Sequence, residues 1–410
     1  MRLPAVCGLI LTVACARPVP APPPPDSLDP ALADGWRYVH DATYRRQQLE
    51  ASLVNPANGY SQLRLAQYDD SHWGALPEWN PSSRTATAAD VGLRPSAAGL
   101  AALDVDGTAW EQPALIDLGR RAFFTYPAQL EPALLQVVAT ADGADRYGFW
   151  KDSAGAIGSL VWTQGATTQM WPSFTCASCH ASPGPDGTIV AGLPNARMNE
   201  GRLLNDRGSA DPNVARWGPG RIDVTNDDQD NPTAIPDLRP VRSQVNLHHA
   251  ASVRNGLIPL ALRVETLIIT SLGQSVRPPR KLALAIALFL WDLQPRAVEA
   301  PSETSARGEA LFKNNCATCH IPPDYSGPAI ALSVVGTNPA VGLSPDRTTG
   351  KYRVPSLRGV GDRSPLLADG AVTNIDELFN SRRTAPGHQF GLALSDSDRA
   401  DLITFLRTLE

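Results

Sequence analysis

Two short runs carry residues able to do chemistry together: Cys176-Ala177-Ser178-Cys179-His180 and Cys316-Ala317-Thr318-Cys319-His320. Two thiols separated by two residues match the two vinyl groups of one porphyrin. The turn between them places the next imidazole beneath the iron. The spacing therefore predicts covalent haem c twice, with Cys176, Cys179, Cys316 and Cys319 as attachment points and His180 and His320 as axial ligands. A four-cysteine zinc site pairs its C-x-x-C motifs about 15–20 residues apart and needs no trailing His. Here 136 residues separate the pairs. Two redox disulfides in an oxidising compartment are the other alternative.

A sixth ligand separates an electron carrier from a reactive haem; a thioether raises the potential and a second imidazole lowers it. The only methionines are Met1, Met170 and Met198, so the C-terminal haem has none nearby in sequence. His388, 68 residues after His320 in a Pro-Gly loop, is the expected ligand there, with Tyr325, Tyr352 or an open position as alternatives. For the first haem His248 lies at the same 68-residue offset from His180; His249, Met170, Met198 and an open position stand beside it. His40 and His72 read as surface or structural. Arg254, Arg263 and Glu265 are charged candidates for a distal pocket, although ordinary surface or interdomain charges is the reading preferred for them. No catalytic residue is assigned.

Both attachment sites need helices to hold them. Gly119 and Phe123 precede the first, and Gly308 and Phe312 the second, each pair one helical turn apart on one face. Candidate closing helices are Arg280 to Leu293, apolar nearly all round, and Asp398 to Leu409, with Ser395 as N-cap. Gly308 lies eight residues before Cys316, but Gly119 lies 57 before Cys176. The extra length, Pro127 to Phe174, is rich in aromatics and reads as a hairpin or loop near the first haem. Trp291 is a candidate to lie between the haems, against its plainer reading as core. Asp29 to Asn55 reads as a further helix, with Asp29 as cap, Pro30 as first residue and Pro56 as stop. Residues 58–113 show no periodicity and read as an extended wrap. The fold class expected is mainly α: two cytochrome c-like haem domains, 116–297 and 298–410, behind an N-terminal helix and wrap at 30–115.

The chain has 410 residues and a formal net charge of −5, which gives no footprint for nucleic acid. Its start reads as an export signal: Arg2, an apolar run of 12 residues from Leu3 to Ala14, then Cys15 after a small residue. That run is too short to span a bilayer. Its end resembles a bacterial lipobox, and the Pro-rich stretch 16–29 suits a semi-rigid tether. The expected address is the periplasm, with membrane contact only through a lipid on Cys15.

Beyond the two CxxCH sites, four strings resemble the di-haem cytochrome c peroxidase and MauG superfamily, including its rubber-oxygenase branch. They are Trp217-Gly218-Pro219-Gly220-Arg221-Ile222-Asp223, the run from Tyr352 to Val360, Asp369-Gly370-Ala371-Val372, and Pro386-Gly387-His388-Gln389-Phe390-Gly391. The resemblance covers roughly residues 110–410. It implies two facing α-helical cytochrome c domains, one haem passing electrons and the other meeting an oxidant. Leu366-Leu367-Ala368 stand where many members carry an aromatic and a His, and the distal His and Glu of some members have no counterpart here. The resemblance also implies a redox partner protein or a small oxidant such as peroxide. Three functions remain open: a peroxidase- or MauG-like oxidoreductase with the first haem reactive, a plain electron carrier with both irons six-coordinate, and an oxygenase of an apolar substrate.

Overall fold

The computed structural model describes residues 22–24 and 28–410, except 70, 94, 166, 167, 225–228, 300 and 348. The signal, Cys15 and most of the Pro-rich stretch fall outside the described residues. Among those described, no helix is long and apolar enough to cross a membrane.

Two helix crossings organise the chain. Helix Gln112–Thr125 packs on Arg280–Asp292, and helix Glu303–Asn315 packs on Asp396–Arg407. Glycine decides both crossings. A Cβ at Gly119 would stand 1.9 Å from the Ala285 carbonyl oxygen, and one at Gly308 would stand 2.0 Å from that of Asp401. Phe123 lies against Phe289, and Phe312 against Phe405, with ring centroids 5.4 Å apart in each pair. The Gly-x-x-x-Phe spacing thus packs the same way twice. Ser302 caps the helix that follows it by accepting from Ser305 N, and Ser395 accepts from Asp398 N.

The first core is large, running from Leu32 through the buried face of Arg280–Asp292. Trp291 is half-buried at its edge. A second cluster holds Tyr147, Phe149, Leu160, Trp162, Phe174 and Met198. It sits on a four-stranded sheet with the order Ser83–Thr87, Ala156–Gln164, Met170–Phe174, Gln129–Leu130. The aromatic stretch before Cys176 is therefore a hairpin with its own core, and Trp150 ties it to the attachment turn by donating to the Ala181 carbonyl at 2.7 Å.

The N-terminal stretch differs from expectation in two ways. The expected helix from Asp29 is cut into Pro30–Leu32, Ala33–His40 and Ala42–Ser52, because Asp41 turns extended and caps a new start through Tyr44 N. The wrap contains a helix, Gly59–Gln67, whose cap Asn58 accepts from Ser61 N. Its apolar positions are few, so periodicity did not reveal it.

Candidate redox site

Cys176–His180 forms one short helical turn, with Thr175 and Ser178 closing a capping box. His180 Nδ1 lies 3.0 Å from the Pro236 carbonyl. His320 Nδ1 lies 3.1 Å from the carbonyls of Tyr325 and of Pro355. A carbonyl acceptor fixes the proton on Nδ1 and leaves Nε2 as the ligating nitrogen, the usual support for a metal-bound imidazole. Burial pushes both imidazoles down to about 4, so each is neutral at pH 7. None of the four cysteines is disulfide-bonded among the described residues.

The two carbonyls belong to a repeat that motif reading missed. Residues 235–255 (IPDLRPVRSQVNLHHAASVRN) and 354–374 (VPSLRGVGDRSPLLADGAVTN) align without a gap, 119 residues apart. The backbone repeats as well. Leu247 pairs antiparallel with Val253, and Leu366 with Val372. His248 and Leu367 both have positive φ, as do Ala251 and Gly370. The shared Pro-x-Leu-Arg string was the available signal.

This alignment settles the 68-residue offset. His248 corresponds to Leu367, not to His388, so the equal spacing is a coincidence of loop lengths. His248 Nδ1 meets Ser252 Oγ at 2.7 Å, and its Nε2 is buried without a hydrogen-bond partner among the described residues. His249 Nε2 meets the Ala234 carbonyl at 2.9 Å. Met198 is fully buried with its sulfur 3.9 Å from Cys179 Sγ, and Met170 lies half-buried on the hairpin.

At the second site a cavity of about 470 Å³ opens beside Cys316, Cys319 and His320, within the range of cofactor pockets. His388 lines it, and His320 and His388 lie close enough to act electrostatically on one another. His388 is held at φ 45° by the bond from its backbone N to the Val335 carbonyl. Its Nδ1 is buried without a hydrogen-bond partner among the described residues. The tyrosine alternatives have other work: Tyr325 supplies its carbonyl to His320, and Tyr352 donates its hydroxyl to the Asn338 carbonyl at 2.6 Å. His249, Pro236 and Asp237 reach the same cavity from the first half.

Of the three charged candidates, Arg254 holds the Ala51 and Leu53 carbonyls from the surface. Glu265 is fully buried and accepts from Tyr38, Tyr68 and Arg280. Only Arg263 faces an unexplained cluster, with Tyr60, Arg64 and Arg347. His40 stacks on Trp36, and His72 pairs with Asp69 at the surface. The Trp217–Asp223 string and the Asp369-Gly370 turn prove to be one construction, since Arg221 donates to both the Trp217 and the Gly370 carbonyls at 3.0 Å.

A sequence-family model for cytochrome c matches residues 305–410, the segment containing Cys316, Cys319, His320 and His388. This segment is a cytochrome c domain. Its cofactor is covalently bound haem c, and the chemistry that follows is redox. The turn Cys176–His180 carries the same CxxCH motif outside the matched segment. Similar solved structures include a MauG-like protein associated with microbial copper homeostasis, 15% identical over 82% of this chain and 94% of its own, with TM-score 0.39. The di-haem peroxidase BthA from Burkholderia thailandensis E264 is 17% identical over 82% and 94%, with TM-score 0.37. A hydrazine synthase chain from Kuenenia stuttgartiensis is 15% identical over 72% and 92%, with TM-score 0.35. At these scores the likenesses bear no weight on activity. No curated protein matches the chain.

Proposed function

We propose that the chain is an exported two-haem c-type oxidoreductase of the di-haem peroxidase and MauG kind, with electrons entering at the second haem and an oxidant such as peroxide, or a partner protein, met at the first. Cys176, Cys179 and His180 hold one haem; Cys316, Cys319, His320 and His388 hold the other. The periplasm, with Cys15 as a lipid-bearing anchor, is the address that suits this chemistry. Each haem supplies a one-electron couple, and an iron with a vacant axial position can bind an oxidant.

The observation that carries the asymmetry is the segment preceding each closing helix. In the second half residues 379–395 contain His388, which lines the cavity beside His320. In the first half residues 267–279 (LIITSLGQSVRPP) hold the corresponding place, and they contain no His, Met, Cys or Lys. They begin with a π-helical turn, Leu267–Ser271, a feature frequent at functional sites. That segment offers no side chain that would ligate the first haem, whereas His388 would serve the second.

Between the two, the chain's own groups form a short route. Pro236 accepts from His180; Asp237, its neighbour, bonds Arg363 at 3.1 Å; Arg363 donates to the Ser356 carbonyl at 2.9 Å; Pro355, the next residue back, accepts from His320. The test is to mix the fully reduced protein with hydrogen peroxide and follow both haems optically. Rapid oxidation that begins at a high-spin first haem supports the proposal. Two low-spin haems that do not react would leave a plain electron carrier.

A further inference from the structure

Arg353 brings a cation to the wall of the cavity beside Cys316, Cys319 and His320. It stands in the strand Lys351–Val354, two residues before Pro355, whose carbonyl receives the His320 imidazole. Its backbone is pinned from the first half of the chain, because its N donates to the His249 carbonyl at 2.9 Å. Its Nε is buried with no hydrogen-bond partner among the described residues. Arg363, a second arginine on the same wall, differs in this respect. All three of its guanidinium nitrogens are committed, to Asp237 Oδ2 at 3.1 Å, to the Ser356 carbonyl at 2.9 Å and to the Arg358 carbonyl at 2.8 Å.

The carboxylates nearby are already shared. Asp237 receives Arg239 on both oxygens and Arg363 on Oδ2, and Asp362 receives the other side of the Arg239 fork. Three cations, Arg239, Arg353 and Arg363, therefore stand against two carboxylates. Burial pushes the Arg353 guanidinium down to about 10; the Arg363 cation adds to the fall, and Asp237 opposes it. A guanidinium held away from water is stable in its charged form only with a counter-charge and filled donor positions. The cavity contents are the place from which a third carboxylate can come, because Arg353 faces that space and Arg239 does not line it.

We propose that Arg353 seats a propionate of the haem attached at Cys316 and Cys319. Propionates are the carboxylates that a haem brings with it, and a guanidinium fork matches a carboxylate with paired hydrogen bonds. The seat ties the haem edge to the strand that leads to Pro355 and so to His320, and through the His249 carbonyl to the first half of the chain. It also keeps the propionate ionised, so that the charge beside the iron is balanced by a fixed cation. The proposal rests on haem at Cys316 and Cys319 and needs nothing from the first haem.

The test uses the holoprotein and the variants R353Q and R353K. Intact mass of each sample first reports the haem on Cys316 and Cys319, so that loss of the haem and loss of the seat are told apart. Two readouts follow: the midpoint potential of each haem, with and without added acetate, and the resonance Raman propionate bending bands. A seated propionate predicts that R353Q lowers the potential of the second haem, leaves the first unmoved and shifts a propionate band. R353K keeps the charge and loses the fork, so its potential should stay near wild type while the band still shifts; it carries the test if R353Q fails to fold. Bands unchanged in both variants would overturn the proposal, as would equal shifts of both haems in R353Q. A saturable acetate effect on the wild-type second haem would overturn it too, because a solution anion would then hold the seat.

Discussion

Arg363 Nε donates to Asp237 Oδ2 at 3.1 Å and joins the two halves of the chain: Asp237 is the neighbour of Pro236, which holds His180, and Arg363 also bonds the carbonyl of Ser356, the neighbour of Pro355, which holds His320. Asp237 also takes a forked pair from Arg239, which reaches on to Asp362 at 2.6 Å. Burial alone would raise the Asp237 carboxyl, but Arg363 and Arg239 hold it below the usual range. Asp237→Asn takes the carboxylate partner from the buried Arg363 and leaves Arg239 with Asp362 alone. It should lower stability by about 3 kcal/mol or more, read as a fall in the denaturant midpoint. In the folded fraction, electron exchange between the haems should slow, measurable by following each haem after rapid mixing with a reductant.

His388→Ala should turn the second haem from low-spin to high-spin while leaving its thioether bonds intact. Visible and EPR spectra check this. An unchanged low-spin signal would mean that another group fills the position opposite His320.

Gly308→Ala would drive a methyl group to within 2.0 Å of the Asp401 carbonyl oxygen and 2.7 Å of Phe405 Cβ. The helices Glu303–Asn315 and Asp396–Arg407 must then separate. Overpacking of this kind costs about 3 kcal/mol. Thermal unfolding of Gly308→Ala, and of Gly119→Ala at the matching crossing, should show a clear loss in each.

The chemistry was legible because it lies in contiguous residues. The two CxxCH turns, the Gly-x-x-x-Phe crossings, the Ser302 and Ser395 caps and the Pro-Gly loop of His388 each follow from local spacing, and the chain folds them as that spacing requires. The Asp237–Arg363 pair was not legible, because its partners lie 126 residues apart and neither belongs to a motif. The arginine cluster was seen only in part. Arg263 stood out, but Arg64 lies on a helix with too few apolar positions to announce itself, and Arg347 lies in a loop. The equal spacing of His248 and His388 misled because loop lengths, unlike turn chemistry, carry no register. The 119-residue repeat corrects it, since Pro236 and Pro355 make the same bond.

Glu200 lies beside Cys179, and burial pushes its carboxyl up to about 8, with Glu131 and Asp223 adding to the rise. The folded protein therefore keeps a proton that the unfolded chain releases near 4.5. Stability from this group is fully present below that value, falls as the pH rises toward about 8, and is level beyond it. Glu200→Gln should remove this slope, unfolding at a higher temperature than wild type at pH 8 and at a similar one at pH 4. Melting curves across that range give the comparison.

The central claim is that both CxxCH turns carry haem, and intact mass of the denatured protein tests it most directly. The wild type should exceed its polypeptide mass by two haem groups. Replacing Cys176 and Cys179 with Ala should remove one haem, and replacing Cys316 and Cys319 the other. A wild-type mass with a single haem, unaffected by the first pair of substitutions, would contradict the account.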